Sequence, residues 1–193
     1  MQPLNTRIAL ARAFAGECQA HMQYLFAANA AEQADLHAVA AVFRFTAAQE
    51  KAHAKIFYDF LSQGTDKSIG FEADYPIDTV TDVKALLLQA YEHETKEFDP
   101  VYPSFAVVAR TENALPVAHA FEQIAKVEKT HADRFLRIAR AMEDNRLFIA
   151  DRETTFVCLN CGHIMQTQNA PLRCPVCDHP RGYIVRHDLA PYL

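Results

Sequence analysis

The stretch Ile124–His131, IAKVEKTH, places Glu128 and His131 three residues apart inside an apolar helical stripe. Phe121, Ile124, Phe135, Ile138 and Met142 recur around the pair at the three-, four- and seven-residue intervals of a buried helix face. A carboxylate in such a seam is strongly destabilising unless it is paired, and a metal ion is one of the few partners that suits Glu and His together. The pattern recurs at Glu50 and His53, set among Phe43, Ala47, Ala54 and Phe57. A four-helix bundle with a dinuclear carboxylate site draws Glu-x-x-His from two helices and a Glu from each of the others. Glu17, with Leu10, Phe14, Tyr24 and Ala28 on its face, and Glu94 and Glu97, with Leu87, Ala90 and Val101, complete that set.

Composition agrees with a helical chain. The 193 residues suffice for one bundle and a small appendage; half are hydrophobic, Trp is absent and there are only five Gly. A net charge of -5 gives no general reason to bind nucleic acid or an anionic membrane, and neither partner is expected. No stretch approaches the roughly 18 to 20 apolar residues of a membrane span, and the first 16 residues lack a secretory core, so a cytoplasmic location is expected. Four of the five cysteines form two C-x-x-C pairs, which in a reducing compartment suggests metal rather than disulfides.

Taken in order, the first helix is expected to start after a cap at Asn5 or Thr6 and run to about Gln33. Asp35 could cap the second, which runs from Leu36 to about Ser62 and stops at Gly64 in a left-handed conformation. Residues 65–80 form a long crossover. The third helical stretch, 81–112, contains Pro100 and Pro103, so a kink is expected near Asp99 to Tyr102. Pro116 suits the first turn of a fourth helix reaching about Asn145. The composition then shifts to β-branched residues, Pro and Cys. A four-helix bundle over 1–148 is therefore expected, followed by a small β and knuckle domain over 154–193.

Five carboxylates and two imidazoles, Glu17, Glu50, Glu94, Glu97, Glu128, His53 and His131, suit a pair of iron or manganese ions. Tyr24 and Tyr102 could donate to a ligand carboxylate, and His21, one turn after Glu17, could orient that side chain. Cys18 and His119 read as packing, His37 as exposed, and Glu92 and His93 as solvated or supporting. Cys158 and Cys161, with Cys174 and Cys177, have the spacing of a tetrahedral four-thiolate site. Gly162 and Asp178 follow the two knuckles, where a left-handed turn lets backbone amides point at sulfur. Spacing alone leaves iron, a one-electron carrier, and zinc, a structural staple, both open.

With both sites in view the chain resembles the rubrerythrin family over nearly its full length, which implies a ferritin-like four-helix bundle followed by a rubredoxin-like domain. The resemblance is carried by AFAGECQAHMQY around Glu17, the two Glu-x-x-His motifs, Glu94-x-x-Glu97 leading into VYPSFA, and CGHI with APLRCPVCDHP. It implies that the seven Glu and His residues bind two irons, with Glu97 exchanging with a histidine as their oxidation state changes. It implies one iron at the four cysteines, and peroxidase catalysis involving Glu97, Tyr24 and Tyr102. The family reduces hydrogen peroxide to water with electrons passing through the rubredoxin-like iron, supplied by an upstream reductase or rubredoxin-like donor, often in a head-to-tail homodimer. Cys18, His21, Gln23, His93 and Asp178 depart from the family's usual residues. The competing readings are a ferroxidase or iron-storage protein with a structural zinc ribbon, and a zinc-ribbon binding module on a helical scaffold.

Overall fold

The computed structural model describes residues 2–64, 67–73, 76, 77 and 80–190. Among these, α1 (Leu4–Gln33) and α2 (His37–Ser62) form an antiparallel hairpin, and the chain then crosses over to α3 (Val83–Lys96). The parts of the crossover at 65, 66, 74, 75, 78 and 79 lie outside the described residues. A wide π-turn over Glu97–Val101 joins α3 to α4 (Tyr102–Thr111), and α5 (Leu115–Glu143) closes the bundle. α3, the π-turn and α4 act as one interrupted helix, so the bundle has four members.

The interruption falls where the prolines require it. Pro100 cannot donate to the helix, and Asp99 leaves helical backbone at φ -155°, ψ 118°. Capping differs from the sequence reading at two places. α1 begins at Leu4, and neither Asn5 nor Thr6 caps it; instead Glu112, from the α4–α5 turn, accepts from Thr6 N at 2.7 Å and Thr6 Oγ1 at 2.6 Å. Asp35 takes φ 57° in the α1–α2 turn rather than capping α2. α2 ends at Ser62, and the Gly64 N–H closes a turn on Leu61 O. Asp82, not singled out in the sequence, caps α3 through Ala85 N at 2.9 Å, and Pro116 sits in the first turn of α5 as expected.

Two apolar clusters fill the bundle, one at each end. Tyr24, Phe43, Leu87, Phe135 and Ile138 pack at the end nearer the α1–α2 turn. Leu10, Phe57, Tyr102, Val117 and Phe121 pack at the other. Along each helix the buried glutamates and histidines fall between these clusters, as a polar layer in an apolar column.

After α5, β1 (Ile149–Cys158), β2 (Ile164–Asn169) and β3 (Ile184–Arg186) form an antiparallel sheet ordered β2-β1-β3. Phe156, Cys158, Ala170, Cys174 and Ile184 make its small core. Val185, Leu189 and Ala190 join the first bundle cluster, so this module packs on its own bundle at the α1–α2 turn. A Cβ on Gly182 would lie 1.6 Å from Asp35 O, which only glycine avoids. The next residue, Tyr183, stacks on His37 with ring centroids 4.0 Å apart. His37, expected to be exposed, is therefore largely covered.

Candidate metal centre

Glu17 and Tyr24 come from α1, Glu50 and His53 from α2, Glu94 and Glu97 from α3 and the π-turn, and Glu128 and His131 from α5. Glu17, Glu50, Glu94, Glu128 and His131 are fully or almost fully buried and His53 is buried. Donor atoms gather in two groups, Glu17–Glu50–His53–Glu128 and Glu50–Glu94–Glu128–His131, each with its atoms within 4.8 Å of one another. Glu50 and Glu128 belong to both, the sharing expected of carboxylates that bridge two ions.

The donors converge without satisfying one another. His53 Nδ1 lies 3.0 Å from Glu128 Oε1, and His131 Nδ1 lies 2.8 Å from Glu128 Oε2 and 2.9 Å from Glu50 Oε1. Yet Glu17 Oε2, Glu50 Oε1, Glu94 Oε2, both Glu128 oxygens and His131 Nδ1 are buried without a hydrogen bond. Orphaned polar atoms at this density are rare in a folded interior, and two cations would satisfy all of them. Electrostatics point the same way. Burial, reinforced by the neighbouring carboxylates, pushes Glu17, Glu94 and Glu97 well above the ordinary carboxylate range. Burial opposes a charged imidazole at His131, but Glu128, Glu50 and Glu94 outweigh it and push its pKa up to about 12. Burial raises Glu50 too, yet the imidazoles of His131 and His53 bring it down to about 2. The pocket demands positive charge.

Each outer carboxylate is held by a tyrosine from another helix. Tyr24 Oη donates to Glu94 Oε1 at 2.5 Å, and Tyr102 Oη donates to Glu17 Oε1 at 2.6 Å. Burial and those same glutamates push both phenols well above the usual tyrosine range, so both stay protonated donors. Tyr24 follows Glu17 by seven residues, but Tyr102 follows Glu94 by eight. The π-turn absorbs the additional residue and returns Tyr102 to the interior.

Glu97 stands apart from both donor groups: Gly16 of α1 is its neighbour, with an added Cβ meeting Glu97 Oε1 at 3.5 Å. Its carboxylate borders a cavity of about 360 Å³ lined by Arg12, Gly16, His93, Lys96, Glu97 and Tyr102 among others. His93, read as solvated or supporting, is half-buried at this cavity. His21 does not reach Glu17; its Nδ1 lies 2.6 Å from Ala47 O and ties α1 to α2. Cys18 and His119, read as packing, are both exposed. Sequence reading passed over Gln49 and Arg134, which adjoin His131. Arg134 follows His131 by three positions on α5, but nothing in the sequence shows that Gln49 of α2 lies between them.

The four cysteines also meet. Cys158 and Cys177 sulfurs are 3.7 Å apart, as are those of Cys161 and Cys174. A tetrahedron with metal–sulfur bonds of about 2.3 Å has edges of about 3.8 Å, so the cage has the size of one ion. Gly162 at φ 76° and Asp178 at φ 58° take the expected left-handed turns. The backbone N–H of His179 holds the Cys177 thiol down to about 6, while burial and the neighbouring sulfurs push Cys158 and Cys161 up.

Comparison with known proteins agrees with these two centres. The Rubrerythrin family model matches residues 9–139, and the model of the rubrerythrin rubredoxin-like domain matches 156–185. The chain belongs to the rubrerythrin family. It is 39% identical to the rubrerythrin of Clostridium perfringens over 90% of both chains. A nigerythrin structure in a mixed-valence state matches with TM-score 0.63 and 25% identity, over 94% of this chain and 86% of that one. An engineered closed-form ferritin of Archaeoglobus fulgidus matches with TM-score 0.63 at 17% identity over 74% of this chain and 87% of that one, a likeness of fold alone. The rubrerythrin assignment gives the two sites their character: a diiron carboxylate site in a ferritin-like bundle, and a four-cysteine rubredoxin-like site.

Proposed function

We propose that the protein is a peroxidase that reduces hydrogen peroxide to water at the diiron site, with electrons relayed through iron at the four cysteines. The observation that carries this reading is the pair of donor groups sharing Glu50 and Glu128, encoded in one chain with a thiolate cage. In this reading Glu17, Glu50, His53, Glu94, Glu128 and His131 hold the two irons, and Glu97 completes the set from the cavity side. Cys158, Cys161, Cys174 and Cys177 hold the third iron. The bundle over 1–148 and the module over 154–193 are the corresponding domains.

When bound, the iron pair supplies two electrons for cleaving the O–O bond, and the thiolate iron returns them singly. The residues do the rest. The cavity beside Glu97 and Tyr102 is large enough to bring a small oxidant to the edge of the donor groups. Tyr102 and Tyr24 hold Glu17 and Glu94 in fixed orientations. Reduction of one peroxide consumes two electrons and two protons and releases two waters. Tyr102 lines that cavity while its hydroxyl donates to Glu17, so it joins the cavity to the carboxylate layer.

The electron route shapes the proposed assembly. The module sits at the α1–α2 turn, and Glu50 lies 13 residues beyond His37 on α2, roughly 20 Å along the helix. A head-to-tail dimer, placing one chain's module against the other's diiron site, shortens that path. The electron donor upstream is a reductase or rubredoxin-like protein.

The test is metal content and reductant-driven turnover together. About three irons per chain and catalytic peroxide consumption support the proposal. The double variant Cys158→Ser, Cys161→Ser should lose reductant-driven turnover and still consume peroxide once after chemical reduction. Two irons with zinc at the cysteines, and retention of added ferrous iron without peroxide turnover, would replace it with a ferroxidase reading.

A further inference from the structure

We infer that Gln49 and Arg134 act as a positioning pair that dictates which nitrogen of His131 faces the metal. The inference rests on His131 being a ligand of the diiron site, as proposed above. Arg134 Nη1 donates to Gln49 Oε1 at 3.0 Å and to Thr46 Oγ1 at 2.9 Å, while its guanidinium carbon stands 5.1 Å from the centre of the Phe45 ring. Gln49 Oε1 is also 3.0 Å from His131 Nε2. One amide oxygen thus faces both side chains.

The direction of control follows from donor chemistry. A guanidinium has N–H groups only, so it can face the oxygen of the Gln49 amide but not its NH₂. Arg134 thereby fixes which end of the amide points inward. An oxygen held there can only accept, so Nε2 of His131 keeps its proton, and Nδ1 is the nitrogen that gives up its proton when a metal ion binds. Nδ1 is the nitrogen lying among Glu128 Oε2, Glu50 Oε1 and Glu94 Oε2, at 2.8, 2.9 and 3.7 Å. Arg134 therefore acts on the metal through two hydrogen bonds, without approaching it as a ligand.

The choice of acceptor also has an electronic consequence. Metal-bound histidines often donate to a carboxylate, which raises their basicity. Here the acceptor is a neutral amide whose oxygen is shared with a cation, a weaker base. His131 is accordingly a less electron-rich ligand than a carboxylate partner would make it, which favours the ferrous form of the iron it holds.

The experiment uses full-length protein with ferrous iron as probe. Iron affinity is measured by anaerobic titration of metal-free protein, the diiron potential by redox titration, and folding by circular dichroism. Gln49→Leu should bind iron about ten- to a hundredfold more weakly while keeping its helicity. Gln49→Glu should bind as wild type with a lower potential, since the carboxylate returns charge to the imidazole. Arg134→Met should weaken binding because the amide is free to flip. Adding Gln49→Glu to Arg134→Met should restore binding, because a carboxylate accepts in either orientation. That rescue distinguishes tautomer control from packing. Wild-type affinity in Gln49→Leu, an unchanged potential in Gln49→Glu, or no rescue in the double variant would overturn the inference alone. A wild-type bundle that takes up no iron would overturn the metal-site reading and this inference with it.

Discussion

Tyr24 and Tyr102 do the same work from opposite sides of the centre, each fixing an outer glutamate with one short hydrogen bond. Tyr102→Phe keeps the ring within its aromatic cluster and removes the donor from a buried carboxylate. The expected cost is about 1–3 kcal/mol in the stability of the metal-free protein, measured by urea unfolding. Turnover should fall as well, through the loss of Glu17 orientation. Glu97 obeys a different logic, since its carboxylate borders the cavity and lies outside both donor groups. Glu97→Ala should leave the bundle folded with its iron bound and slow the peroxide-driven oxidation of the reduced protein in stopped-flow traces. Wild-type oxidation rates in that variant would remove Glu97 from the mechanism.

At the level of elements, the first turn of α1 is held by a residue more than a hundred positions away. Glu112 accepts from the side chain and backbone of Thr6 and from Asn5, and these bonds hold its carboxyl below the ordinary range. Glu112→Ala should cost about 1 kcal/mol, the usual value of a lost cap, and less at high salt because the site is partly exposed. The pH dependence has a definite sign. A carboxyl whose folded pKa is lowered contributes fully above its unfolded pKa, and the contribution disappears as pH falls through the folded value. The stability gap between wild type and Glu112→Ala, from thermal melts, should therefore close on acidification. The π-turn plays a comparable part within α3 and α4. It lets Glu94, Glu97 and Tyr102 all approach the same centre despite the prolines.

Across the whole molecule, the bundle is two apolar columns joined by a layer of charge, so its stability depends on what neutralises that layer. Iron at 1,000 times its dissociation constant should add about 4 kcal/mol to the stability, and chelation should lower the melting temperature while leaving most helicity in place. Equal melting curves with and without chelator would show that the layer is self-sufficient. The seating of the C-terminal module rests on Gly182, where an added Cβ would meet Asp35 O. Gly182→Ala should lift the module from the α1–α2 turn and raise amide exchange at 34–38, while the ferric thiolate spectrum persists. Unchanged exchange there would show that the contact is dispensable.

Much of this architecture is readable along one dimension, because it is local and periodic. Glu50 with His53 and Glu128 with His131 announce themselves as charges at helical intervals in apolar stripes, and a buried charge admits few explanations. Cys158, Cys161, Cys174 and Cys177 announce a tetrahedral cage by spacing, and Pro100 and Pro103 announce the broken helix. Interactions between distant residues were not readable in this way. Glu112 as the cap of α1, His21 on the Ala47 carbonyl, His37 beneath Tyr183, and Gln49 held between Arg134 and His131 all depend on how helices are juxtaposed. Hydrogen-bond partners more than a few residues apart leave no period in a sequence. Only packing decides which donor meets which acceptor, and therefore which nitrogen, oxygen or cavity wall each metal-binding side chain presents.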